Sequence, residues 1–148
     1  MLVISIKLFL VKGKYYMSDS YSIWLARASN NLTLAKIKLP KGACYEDLCF
    51  NAQQAAEKAL KSLLVFYDVE PPRTHDLAEL VNKASKYTDL PKNIRNLVKL
   101  NEYAVQIRYP GDYIPLTKKD HTQAVRIAEN CLDWVKTTIK TNSKQLRL

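Results

Sequence analysis

Arg108 is the residue of this sequence best suited to chemistry, because it ends an apolar helical pattern. Tyr109-Pro110-Gly111 follows it directly and would stop a helix. Steps of three and four residues back from Arg108 give a set that faces inward: Val105, Ala104, Asn101, Val98, Leu97 and Ile94. Arginine keeps its charge and is rarely buried without an acceptor. Arg108 is therefore either paired inside the protein or placed at a cleft that receives an anion, with Asn101 on the same helix face.

Both interpretations of Arg108 have support in the sequence. Asp112, Glu102 and Glu57 are candidate partners for an internal ion pair. In the anion-binding interpretation, Tyr109 and Tyr113 line the cleft and stack on a base, which is a sequence-tolerant way to hold a single strand. The same tyrosines would also suit a dimer interface.

The two histidines of the chain are His75 and His121. The pattern places His121 on the inner face of the last helix, which is typical of a core or boundary histidine with its hydrogen bonds satisfied. His75 falls at the start of a shorter helix beside Arg73, where a capping or surface role is the simplest interpretation. His75 is also a weak candidate for catalysis, together with Arg108 and Tyr113.

Several classes of site have no pattern in this chain. We find no phosphate-binding glycine loop, dinucleotide fingerprint, HExxH motif or serine nucleophile elbow. Cys44, Cys49 and Cys131 are not spaced as zinc ligands or as a redox pair, so we expect three buried, reduced thiols in a cytoplasmic protein. The sequence predicts no metal and no cofactor.

The charge balance points to polyanionic or acidic partners. The 148 residues contain 23 Lys and Arg against 14 Asp and Glu, a formal net charge of +9. Residues 2–11 are mostly apolar but too short to span a membrane. We expect residues 1–17 to be an N-terminal extension, 18–140 to be one domain and 141–148 to be a basic tail.

Helical periodicity runs through almost the whole domain. The predicted helices start after a Ser18–Ser20 cap, near Leu48, after a Thr74 cap, near Pro91 and at Thr117, where Asp120 completes a short capping box. The second helix is the strongest, with an apolar stripe and an opposite face that carries Gln54, Glu57, Lys58 and Lys61. The sequence thus predicts an all-α, up-and-down bundle of about five helices.

Three motifs in this order resemble the HEPN domain family. They are the Phe50–Leu64 helix, the Pro72-Arg73-Thr74-His75-Asp76-Leu77 segment and Arg108-Tyr109-Pro110. The resemblance covers about Tyr21 to Ile139. It implies a helical bundle that forms homodimers and is often paired with a minimal nucleotidyltransferase in a toxin–antitoxin-like system.

The resemblance also implies a metal-independent ribonuclease site, which this sequence does not reproduce in full. Many members carry an arginine followed four to six residues later by a histidine. Arg108 matches the arginine, but Tyr113 stands where the histidine is expected. Tyrosine titrates near pH ~10 and is a poor base at neutral pH.

We therefore expect a cytoplasmic HEPN-like domain that binds a nucleotide or RNA through Arg108, Asn101, Tyr109 and Tyr113. We expect it to act with a separate nucleotidyltransferase and to lack the usual ribonuclease site. The alternatives are a non-catalytic interaction scaffold and a ribonuclease with a variant site.

Overall fold

The computed structural model describes residues 14–108 and 114–145; for residues 14–19 and 105–108 it describes the backbone alone. These residues form helices and no strand, so the all-α prediction is confirmed. The helices are α1 (Lys14–Ala35), α2 (Tyr45–Phe66), α3 (Leu77–Ala84), α4 (Lys92–Arg95), a 3-10 segment (Asn96–Leu100), α5 (Asn101–Arg108) and α6 (Lys118–Gln145).

Helix α2 is the centre of the bundle. It packs against α1, α3, α5 and α6. The small side chains of Ala52, Ala55, Ala56 and Ala59 are fully buried and allow neighbouring helices to approach closely. Leu60, Leu63 and Leu64 are also fully buried, and each contributes about 1.5–3 kcal/mol of hydrophobic stabilisation.

The predicted polar face of α2 is wrong at two residues. Glu57 is only 3% exposed and Lys61 only 7% exposed. A helix covered by four neighbours has little surface left for solvent, so this ion pair lies inside the bundle. Lys61 Nζ lies 2.8 Å from Glu57 Oε1 and 5.6 Å from the centre of the Trp24 ring.

The predicted helix from Pro91 to Arg108 is broken by the 3-10 segment. Ile94, Leu97 and Leu100 are all buried and follow one another at three-residue intervals. Residues three apart are eclipsed in a 3-10 helix, so this conformation points Leu97 and Leu100 into the core, next to Ile94 on α4. The α-helical pattern resumes at Asn101, and Ala104 is buried on α5.

Three predicted helix starts have different outcomes. Helix α1 already includes Ser18–Ser20, so the predicted cap there is wrong. Asp76, not Thr74, caps α3, because its side chain accepts a hydrogen bond from Ala78 N. The capping box of α6 is confirmed, with Thr117 N donating to Asp120 Oδ2 over 2.7 Å.

Two further features are the glycine in the α1–α2 connection and the length of the C-terminal helix. Gly42 adopts a φ of +84° in the α1–α2 connection, a conformation that glycine tolerates best. Helix α6 continues through Lys140 to Gln145, so residues 141–145 of the predicted basic tail are helical.

Two of the three cysteines behave as expected. Cys49 and Cys131 are buried free thiols, and burial raises the pKa of each to about 12. Cys44 is exposed, so the prediction of a buried thiol is wrong there. Its thiol donates to Asp47 Oδ2, and this contact raises its pKa.

Within the described residues, no helix is both long enough and apolar enough to cross a bilayer.

Candidate functional site

A buried carboxylate in the middle of α2 organises the polar groups of this corner of the bundle. Glu57 Oε1 accepts a hydrogen bond from Lys61 Nζ, and Glu57 Oε2 lies 3.1 Å from Gln54 Nε2. Gln53 Nε2 is a longer contact at 3.4 Å. Buried charges need such partners to be tolerated. Glu57 is therefore a fully partnered anion at the base of the site.

His75 lies directly over this carboxylate. Its Nδ1 is 3.1 Å from Glu57 Oε2 and 3.3 Å from Glu57 Oε1. The His75 side chain is 57% exposed, whereas that of Glu57 is 3% exposed. No described residue forms a hydrogen bond to Nε2 of the ring. A histidine fixed through Nδ1 by a carboxylate, with its other nitrogen free, has the arrangement of an oriented proton-transfer group.

The main chain of the α2–α3 loop is restrained both before His75 and at the carbonyl oxygen of His75. Helix α2 ends at Phe66, and Pro71 and Pro72 bias the loop that follows towards extended backbone. Gln53 Nε2 then donates to the carbonyl oxygen of His75 over 3.1 Å. The side chain of a buried residue on α2 therefore fixes the main chain of the loop, and the position of the His75 ring follows from it.

Opposing effects set the protonation of Glu57. Burial disfavours the carboxylate and raises its pKa. Hydrogen bonds from Lys61 and His75, and the charges of both groups, outweigh burial and lower the pKa below 4.5 overall. Glu57 is therefore charged at neutral pH.

Asn101 joins this corner to the helix that carries Arg108. Asn101 Oδ1 accepts from Leu77 N over 2.9 Å, and Asn101 Nδ2 donates to Asp76 Oδ1 over 2.8 Å. The first residue of α5 is thus hydrogen-bonded to the first turn of α3. These contacts account for Asn101 as a positioning residue and make the start of α5 a fixed point.

Arg108 lies at the other end of α5. Arg108 is the seventh residue after Asn101, which corresponds to about 10 Å along a helix axis. Tyr103 on α5 packs against the core, and burial raises its pKa. The Asn101 end of α5 lies beside Asp76, and Arg108 lies at the far end of the same helix. Within one chain, His75 and Arg108 lie at opposite ends of α5.

Three predicted site features fall outside the described part of the structure. Tyr109 and Tyr113 belong to residues 109–113, which are not described. For Arg108 the structure describes the backbone but not the side chain. Anion binding by Arg108 and base stacking by the two tyrosines therefore stay predictions.

His121 has the structural role that its pattern predicts. Its Nε2 lies 2.6 Å from the carbonyl oxygen of Ala35, the last residue of α1. Its ring stacks on Tyr45 with a centroid distance of 5.5 Å. The histidine thus closes the end of α1 on the bundle and is not aimed at the Glu57 corner.

Gln53, Glu57 and Lys61 form a buried network that the sequence pattern does not predict. They recur every four residues along one line of α2, and the apolar stripe of that helix predicts Glu57 and Lys61 on a solvated face. The loop motif that contains His75 is the one sequence signal for this network, because a loop histidine in a fixed position needs polar partners on the preceding helix. In the described ranges, no group of three or more His, Cys, Asp or Glu side chains is arranged to hold a metal ion.

Comparisons with known proteins agree with this architecture. The HEPN domain description matches residues 21–138. A Methanocaldococcus jannaschii protein named "Putative toxin MJ1304" is 29% identical over 133 residues, covering 80% of this chain and 87% of that protein.

Two solved structures share the fold. TT1696 from Thermus thermophilus has a TM-score of 0.71 and 30% sequence identity, covering 80% of this chain and 97% of its own. The archaeal HEPN homologue ST0689 has a TM-score of 0.64 and 32% identity, with the same coverage. Because the family match covers most of the chain and the relatives match along nearly their full length, this protein belongs to the HEPN domain family.

Proposed function

We propose that this protein is a toxin-like HEPN domain that binds RNA or a nucleotide through the Arg108 end of α5. We further propose that it acts as a cytoplasmic homodimer with a separate minimal nucleotidyltransferase. The similarity to a protein named as a toxin supports the general class. The net charge of +9 supports attraction to a polyanion.

The observation that carries the proposal is the anchoring of α5. Asn101 bonds the start of this helix to Asp76 and Leu77, so the backbone that carries Arg108 projects from a fixed base. An arginine that binds phosphate through two hydrogen bonds needs a backbone held in place, because bidentate binding requires a defined position of the guanidinium group. Asn101 then orients Arg108 through the helix and does not touch the ligand, while Tyr109 and Tyr113 stack on the base.

The test is binding of a labelled, unstructured RNA and of a mononucleotide by the wild type and by Arg108→Ala. We expect Arg108→Ala to weaken binding at least ten-fold without changing the thermal midpoint. Arg95→Ala is the matched control, since Arg95 is exposed on α4 and has no ion pair among the described residues. Equal affinities for Arg108→Ala and the control would refute the site.

The proposed partnership needs a separate measurement. We expect co-expression with a minimal nucleotidyltransferase from the same genome to give a stable complex on gel filtration. A complex that forms without any RNA or nucleotide affinity in the isolated chain would favour the scaffold function instead. Sedimentation of a monomer at micromolar concentration would remove the homodimer.

A second candidate, a metal-independent ribonuclease, is favoured by the Glu57–His75 contact. The histidine expected after Arg108 is absent, but His75 is an exposed imidazole oriented by a buried carboxylate. Because His75 and Arg108 lie at opposite ends of α5, a shared site would combine His75 of one copy with Arg108 of another.

This candidate predicts RNA cleavage in the presence of a chelator. The cleavage should be lost in His75→Ala and in Arg108→Ala. Glu57→Gln should retain part of it with an altered pH profile, because the oriented ring would lose its charged partner. No cleavage by the wild type would exclude the ribonuclease while leaving RNA binding intact.

A further inference from the structure

The α2–α3 loop is attached to α2 at its two ends. At its start, the amide of Val69 donates to a carbonyl oxygen of α2 over 2.9 Å. At its end, Gln53 binds the carbonyl oxygen of His75 and Glu57 contacts the His75 ring. In the described structure, the loop positions between Val69 and His75 form no hydrogen bond to a helix. The contacts of His75 therefore set the position of the loop end.

The next residue of the chain connects this loop end to α5. Asp76 Oδ1 accepts hydrogen bonds from Asn101 Nδ2 and from Ala78 N, both over 2.8 Å. Asn101 Oδ1 also accepts from Leu77 N. The neighbours His75 and Asp76 are thus held by different helices, the first by α2 and the second by α5. A displacement of the His75 main chain displaces Asp76, because one planar peptide unit joins them.

Helix α5 depends on this connection for its polar attachment to the bundle. Of the α5 side chains that the structure describes, residues 101–104, Asn101 alone hydrogen-bonds another part of the protein. The other described contacts are apolar, with Ala104 buried and Tyr103 packed against the core. A helix of 8 residues is too short to be stable in isolation. The docking of α5 therefore requires a fixed partner for Asn101.

We propose that the contact between His75 and Glu57 is a latch that keeps α5 docked. While Glu57 holds the ring, Asp76 stays opposite Asn101. When the ring is released, Asp76 shifts and the start of α5 detaches more often. The His75 side chain is exposed, so the latch can open without unfolding of the bundle. This inference goes beyond the proposed function, because it concerns whether α5 is docked and not what α5 binds.

The test is hydrogen–deuterium exchange of peptides that cover α5, measured by mass spectrometry. It compares the wild type with His75→Ala, Asn101→Ala and the double variant. Arg73→Ala is the matched control, because Arg73 is an exposed residue of the same loop without an ion pair in the described ranges. Peptides from α2 and α6 report on the rest of the bundle.

We expect α5 to exchange about three- to five-fold faster in His75→Ala, since Gln53 still holds the main chain of the loop. In Asn101→Ala the rate should rise by about ten-fold or more, because both side-chain hydrogen bonds of Asn101 are lost. The double variant should exchange like Asn101→Ala, because His75 acts through Asn101. The control should match the wild type, and α2 and α6 should be unchanged in every variant.

Three results would overturn the latch. Equal α5 rates in His75→Ala and the Arg73→Ala control would show that the ring does not hold the helix. A double variant whose rate is the product of the two single effects would show that His75 and Asn101 act independently. Faster exchange throughout α2 and α6 would make His75 a general stabilising residue. None of these results bears on binding by Arg108, which is measured separately.

Discussion

The surroundings of His75 and His121 give the same side chain two different roles. His121 uses Nε2 to contact a main-chain carbonyl and lays its ring on Tyr45. His75 uses Nδ1 to contact the buried Glu57 carboxylate and keeps most of its ring in solvent. The first arrangement closes a helix end. The second holds an imidazole ready for a ligand or a proton, and it requires a charge inside the bundle.

The largest expected effect comes from removing the charge beneath His75. Glu57→Ala should lower the free energy of unfolding by about 3–5 kcal/mol, because it leaves the buried Lys61 ammonium without its carboxylate. Urea denaturation measures this loss. Glu79→Ala is the control, since Glu79 is exposed on α3 and should change little. Equal midpoints for the two variants would mean that the Glu57 region is no more structural than the surface.

Lowering the pH should also reduce the free energy of unfolding, by less than Glu57→Ala does. The pKa of Glu57 is lowered in the folded protein, so its ionisation stabilises the fold above pH 4.5 and this contribution is lost as the pH falls through the folded pKa. The free energy of unfolding, measured from about pH 7 down to about pH 3, should therefore fall more steeply for the wild type than for Glu57→Gln. Parallel curves would contradict the assignment of a charged Glu57.

At the other histidine, His121→Ala should lower stability by about 1–3 kcal/mol. The Ala35 carbonyl loses its side-chain donor in a fully buried residue, and an unsatisfied buried acceptor carries that cost. Thermal unfolding beside Gln123→Ala, an exposed neighbour on the same helix, measures the difference. If the two variants have the same thermal midpoint, His121 does not stabilise the end of α1.

The smallest effect belongs to His75→Ala, at under about 1 kcal/mol. The ring is 57% exposed, and Glu57 keeps Lys61 as its partner. The same denaturation series would record it. A loss as large as that of His121→Ala would make the two histidines equivalent and remove the main reason to place His75 in a functional site.

The fold was largely predictable because its signals are local. The apolar stripes of α2 and α6 and the Thr117–Asp120 box each occupy one continuous stretch of sequence. The site was less predictable because its contacts are distant in sequence. Glu57 meets His75 across a loop, and Asn101 meets Asp76 from another helix. No periodicity encodes such pairs, so the sequence pattern predicts Glu57 on the polar face of α2 or as an ion-pair partner of Arg108, and not beside His75.

The break at residues 96–100 shows the same limit within one segment. Three apolar residues at intervals of three fit either a tilted α-helical stripe or a 3-10 helix, and only packing decides between them. Burial of both Leu97 and Leu100 favours the tighter helix over residues 96–100. That choice also changes the angular register at which Asn101 begins α5.

The Asn101 contacts have a consequence for hydrogen exchange. The amide of Leu77, on a fully buried residue, donates to the side chain of Asn101 and not to a carbonyl of its own helix. Its proton is protected only while α5 is docked, so it exchanges whenever that helix detaches, even if α3 stays intact. One amide signal therefore reports how long the helix that ends at Arg108 stays in place.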